Sequence, residues 1–76
     1  MPHITVKLWP GKSEEVKKEA ARKIAETLAE SLGSNVDACS VSFEEVSKEE
    51  WKEQVWDKEI VGKSETLYKK PGYNME

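Results

Sequence analysis

His3-Ile4-Thr5-Val6-Lys7-Leu8-Trp9-Pro10-Gly11-Lys12-Ser13-Glu14-Glu15-Val16 is the stretch that decides the fold. From His3 to Trp9 the residues alternate, with Ile4, Val6 and Leu8 on one side and His3, Thr5, Lys7 and Trp9 on the other. That period of two predicts a β-strand with one buried face. Pro10-Gly11 ends it. Ser13 then supplies an N-cap hydroxyl, and Glu14 and Glu15 sit where the positive end of a helix favours carboxylates. Downstream, Val16, Ala20, Ile24, Leu28 and Leu32 step by four, with Ala21 and Ala25 widening the stripe. The spacing predicts an amphipathic helix over 14–32, its charged face solvated and its end closed by Gly33 in the left-handed conformation.

Outward from there, Cys39, Val41 and Phe43 alternate with Ser40, Ser42 and Glu44, which predicts a second strand over 39–44. Ser47-Lys48-Glu49-Glu50 has the spacing of a capping box. It opens a shorter helix carrying Trp51, Val55, Trp56 and Ile60, broken at Gly62. The tail from Glu65 to Met75 reads as a short strand or an extended arm. Strand, long helix, strand is a β-α-β unit, whose crossover should be right-handed and whose strands should be parallel. Two strands and one helix leave sheet edges open. Two copies would give a four-stranded sheet with both long helices on one side, an α/β sandwich across a dimer.

Composition narrows the function classes. A chain of 76 residues makes one domain, 1–76, and buries only roughly 60% of its unfolded surface, so oligomerisation is the expected source of further core. One cysteine precludes an intrachain disulfide, and no metal-ligand spacing is present. Cys39 reads as a small buried hydrophobe and His3 as an ordinary strand residue. Twelve basic against fifteen acidic residues give a net charge of −3, which argues against nucleic acid or an anionic membrane as partner. No run approaches the ~20 apolar residues of a membrane span, and Pro2–Lys12 lacks the pattern of a signal peptide. A cytoplasmic protein is the expectation.

Pro2 carries the chemistry. Aminopeptidases remove Met1 ahead of a small residue, and the chain would then begin with a secondary amine. An α-amino group titrates near pH ~8, and an apolar pocket or a nearby cation pushes that value down. A base poised near neutrality on a rigid ring would result. If Met1 stays, the same nitrogen is a tertiary amide without basicity.

Pro2-His3-Ile4 opening a strand, Gly11-Lys12-Ser13 before the helix, and the β-α-β plan resemble the 4-oxalocrotonate tautomerase family over essentially the whole chain. Trp51, the run Trp56-Asp57-Lys58-Glu59-Ile60 and the tail Lys69-Lys70-Pro71-Gly72-Tyr73-Asn74-Met75 are similar to its small dimeric branch, active on phenylpyruvate-like substrates. The resemblance implies an enol–keto tautomerase in which the Pro2 amine shuttles a proton between an enol oxygen and the adjacent carbon. It implies a substrate-binding role for Lys12, where the best-known members carry arginine. Lysine lacks arginine's bidentate fork, so the carboxylate is held more loosely. Ser40 falls where a second family arginine stands, which favours a 2-keto monocarboxylate over a dicarboxylate, and Trp51 matches the aromatic wall of the pocket. Trp9 is expected in a subunit interface, and Tyr68 and Tyr73 in a pocket or anchoring the tail on a neighbouring subunit. A homodimer is favoured over a hexamer, and no metal or organic cofactor is called for.

Two other readings remain. A Pro2 protonated at neutral pH would serve as an acid, as in hydratase or 3-haloacrylate dehalogenase relatives. A non-catalytic homo-oligomeric module would follow from loss of the second cation.

Overall fold

The computed structural model describes Met1–Glu76. In chain order it comprises strand β1 (His3–Leu8), helix α1 (Glu14–Leu32), a 3-10 turn (Val36–Ala38) and strand β2 (Ser40–Glu45). Helix α2 (Lys52–Val61) and a second 3-10 turn (Ser64–Thr66) complete it. Two compact units divide the chain, Met1–Glu45 and Val46–Glu76.

The first unit is the expected β-α-β. β1 and β2 pair in parallel, with His3 opposite Ser40, Val6 opposite Phe43 and Leu8 opposite Glu45. A parallel pair cannot be joined by a tight turn, and α1 provides the crossover. The register puts Ile4, Val6 and Leu8 on one face with Val41 and Phe43, all half-buried. His3, Thr5, Ser40 and Ser42 share the other face, which is exposed. There hydroxyls and imidazole form a chain: Ser42 Oγ donates to Thr5 Oγ1 at 3.2 Å, Thr5 Oγ1 lies 3.4 Å from His3 Nε2, and His3 Nδ1 lies 2.6 Å from Ser40 Oγ.

Both ends of α1 are capped as its sequence dictates. Ser13 Oγ accepts from the Val16 amide at 3.2 Å, and Gly33 takes φ 65°, a region that costs other residues energy, while its N–H bonds the Ala29 carbonyl. The apolar stripe is buried only in its middle. Ala29 is buried and Ile24, Ala25 and Leu28 are half-buried, but Val16 and Leu32 are 54% and 63% exposed. Two causes combine. A step of four residues drifts by roughly 40° per step on a helix of 3.6 residues per turn, so Val16 and Leu32 end up on different faces. The helix, about 28 Å long, also overhangs strands of about 20 Å. Lys17 ties α1 to β2 electrostatically, its Nζ 2.9 Å from Glu14 and 3.3 Å from Glu45.

The second unit opens with the expected capping box. Glu50 N–H donates to Ser47 Oγ at 3.2 Å, and that hydroxyl donates to the Glu50 carboxylate at 2.8 Å. The helix it opens is not the expected α-helix, because α2 is π-wound. The Gly62 N–H bonds the carbonyl of Asp57, five residues back, at 2.9 Å. Such bonds widen the coil to roughly 82° per residue. Trp51, Val55, Trp56 and Ile60 then fall within roughly 80° of one another. On an α-helix Trp51 and Ile60 would sit half a turn apart. The wider coil therefore gathers this unit's apolar residues onto one side, and Val55 and Trp56 are each 6% exposed. The ion pair Lys52–Asp57, at 3.3 Å, uses the same five-residue spacing. The arm beyond Thr66 forms no strand.

Gly62 ends this coil for reasons of space. Its φ of −66° suits any residue, but a Cβ there would lie 2.6 Å from the Lys58 carbonyl oxygen and 2.8 Å from that of Asp57. Gly62→Ala should destabilise the protein by about 1–3 kcal/mol, measured by urea unfolding. The Lys17 contacts also set a pH dependence. The Lys17 ammonium hydrogen-bonds the Glu14 carboxyl and holds it below its ordinary 4.5, so the pair stabilises the fold above that value and is lost as pH falls through the lowered one. Unfolding measured across pH 3–6 should show a shallower acid-side decline in Glu14→Gln than in the parent.

Candidate active site

Pro2 lies immediately before β1, half-buried, while Met1 ahead of it is wholly exposed. The Pro2 carbonyl accepts a hydrogen bond from the Ser40 amide at 3.1 Å, the first rung between the two strands. This rung fixes the peptide on the C-terminal side of the ring, and the ring's own closure fixes φ. Removal of Met1 thus breaks no packing, and the amine it exposes belongs to a residue already held in place.

Ser40 is brought to Pro2 by the register, through its backbone. Its hydroxyl is engaged by His3, which stands directly across the ladder. His3 is accordingly more than the plain strand residue expected: its ring bridges two hydroxyl groups beside the proline. Nothing in the local sequence announces this, because the pairing of positions 3 and 40 exists only once the register is set.

Lys12 is placed elsewhere. It lies in the exposed turn between β1 and α1, next to Gly11, whose φ of 127° lets the chain reverse. β1 runs between Pro2 and this turn, about 20 Å of extended chain. The two are therefore at opposite ends of the same strand. Trp51 belongs to the second unit, where it is half-buried at the start of α2 and donates its indole N–H to the Tyr73 hydroxyl at 3.2 Å. Cys39 is half-buried with its thiol 3.6 Å from the Asn35 carbonyl, consistent with a packing role. No helix of the chain is long and apolar enough to cross a membrane.

Comparison with known sequences identifies the family. A sequence model described as tautomerase enzyme matches residues 2–55. The protein named tautomerase PptA of Pectobacterium atrosepticum is 47% identical over 75 residues, covering 97% of this chain and 99% of its own length. Its namesake in Escherichia coli is 38% identical over 76 residues, 99% and 100% of the two chains. A probable tautomerase of Xylella fastidiosa is 41% identical over 73 residues, 96% and 89% of the two chains. The chain belongs to the tautomerase family, as the residues around Pro2 and Lys12 implied, and is an isomerase of the tautomerase kind.

The two roles of Ser40 separate experimentally. Ser40→Ala keeps the amide rung to Pro2 and removes only the exposed contact with His3, so it should cost less than about 1 kcal/mol while shifting the His3 ring resonances in NMR spectra. Ser40→Pro deletes the amide donor itself and should lower stability by more than about 1 kcal/mol in the same unfolding assay.

Proposed function

We propose that the protein interconverts the enol and keto forms of a small 2-keto monocarboxylate bearing an aromatic or other apolar substituent, with the Pro2 amine as general base. The observation that carries the reading is the setting of Pro2: a half-buried, backbone-anchored proline preceded by one fully exposed residue. With Met1 removed, the amine nitrogen takes the proton of the enol hydroxyl. The oxygen's electrons form the C=O bond, the C=C pair takes the proton back from the ammonium at the adjacent carbon, and the base is regenerated. The reaction is a proton transfer with no net gain or loss of atoms, so one base near neutrality suffices if a cation steadies the carboxylate and the developing enolate.

Lys12 of the partner subunit is assigned that cationic role. Its place at the far end of β1 from its own Pro2 favours service to a second copy, and a sheet continued across two open strand edges supplies such an arrangement. The Ser40 hydroxyl, one strand across from Pro2, is assigned as a further donor to the carboxylate end, and Trp51 as the apolar wall that receives the substituent. Trp9, 48% exposed, is assigned to the contact between copies.

The test uses protein whose N-terminus is verified by mass. Pro2→Ala should lower kcat/KM for the phenylpyruvate enol by about 10²–10⁴-fold, the usual worth of a positioned base. Lys12→Ala should act mainly on KM. Mixed dimers of the two variants contain one site with both residues intact and should show a higher kcat/KM than either variant alone. Activity undiminished in Pro2→Ala would overturn the assignment of the base, and no recovery on mixing would overturn the shared site.

A further inference from the structure

Tyr73 lies in the C-terminal arm and joins the two tryptophans of the second unit. Trp51 donates its indole N–H to the Tyr73 hydroxyl at 3.2 Å. The Tyr73 ring leans on Trp56, with ring centroids 5.3 Å apart and planes inclined by 38°, within the range of favourable aromatic pairs. Trp56 is 6% exposed and its own indole nitrogen has no hydrogen-bond partner. It is held by packing alone, as a core residue is. Tyr73 is thus packed against a buried ring on one side and offers its oxygen to Trp51 on the other.

We infer that Tyr73 is a positioning residue for the tautomerase reaction, its hydroxyl fixing the ring plane of Trp51 so that the site prefers substrates with an aromatic substituent. The inference rests on the assignment of Trp51 as the apolar wall. Its physical basis is rotational. The torsion between an indole and its Cβ is broad, and a half-buried ring samples several orientations on short timescales. The hydrogen bond that the far edge of the ring donates to a packed phenol narrows that freedom before substrate arrives. A wall whose orientation is already set receives an aryl group without an ordering cost at binding. A small alkyl substituent covers little of the ring and gains little from its orientation.

Tyr73→Phe deletes the acceptor and keeps the ring that leans on Trp56. KM for the phenylpyruvate enol should rise roughly fivefold, the scale of one neutral hydrogen bond, with kcat within about twofold of the parent. KM for the enol of a methyl-substituted 2-keto acid should not change. In Trp51→Phe, which has no N–H to donate, adding Tyr73→Phe should have no further effect on KM. The Trp51 indole N–H resonance should move upfield in Tyr73→Phe, while that of Trp56 stays in place. The inference is overturned if Tyr73→Phe leaves the Trp51 resonance unmoved, or if its effect on KM is equal for both substrates or persists undiminished in the Trp51→Phe background. Should Trp51→Phe itself leave KM for the aryl substrate unchanged, the assignment of Trp51 as the wall fails first and the role of Tyr73 with it. A rise in KM for Trp51→Phe with none for Tyr73→Phe rejects Tyr73 alone.

Discussion

The parallel pairing of β1 with β2 is the constraint on which the rest of the first unit depends. Parallel strands must be joined by a long crossover, and α1 spans that distance with a helix whose two caps are written into Ser13 and Gly33. The same pairing, beginning at the rung from the Ser40 amide to the Pro2 carbonyl, holds the residue proposed here as the base. It also divides the sheet into an apolar face under the helix and a polar face on which Ser42, Thr5, His3 and Ser40 are linked. A slip of one residue would turn Val41 and Phe43 away from the helix and remove both the core and the anchoring of Pro2.

A two-stranded sheet with one helix is thin. Ala29 is the first unit's buried apolar residue, and Val16, Leu32, Val36 and Trp9 are left exposed. In the dimer proposed here, the open strand edges and these apolar ends would be buried against the second copy. The placement of Lys12 and Pro2 at opposite ends of β1 gives the proposed chemistry the same requirement. On that proposal stability and activity would draw on one interface, and the monomer would be both marginal and incomplete.

The second unit solves a different problem. Four apolar residues at positions 51, 55, 56 and 60 do not share a face at 3.6 residues per turn, and a regular α-helix would leave one tryptophan or Ile60 in water. Widening the coil to five-residue bonds brings them together and pairs Lys52 with Asp57, while Gly62 gives the wide turn room to end. Tyr73 in the arm then finds both tryptophan rings within reach.

The sequence by itself determined the elements whose causes are local. Alternation at 3–9 and 39–44, the N-cap at Ser13, the left-handed Gly33 and the capping box at Ser47 each depend on a few neighbouring residues, and all appear in the structure within a residue or so. Pro2 was legible as a candidate base, because the chemistry proposed for it derives from its place behind Met1. Tertiary structure decided what depends on separation in space. The partnership of His3 with Ser40 needs the register, the distance of Lys12 from Pro2 needs the direction of β1, and the link from Tyr73 to Trp51 needs the path of the arm. The π winding of α2 lies between the two. Its spacing is visible in the sequence, but the preference for burying two tryptophans over keeping regular hydrogen bonds is settled only by packing.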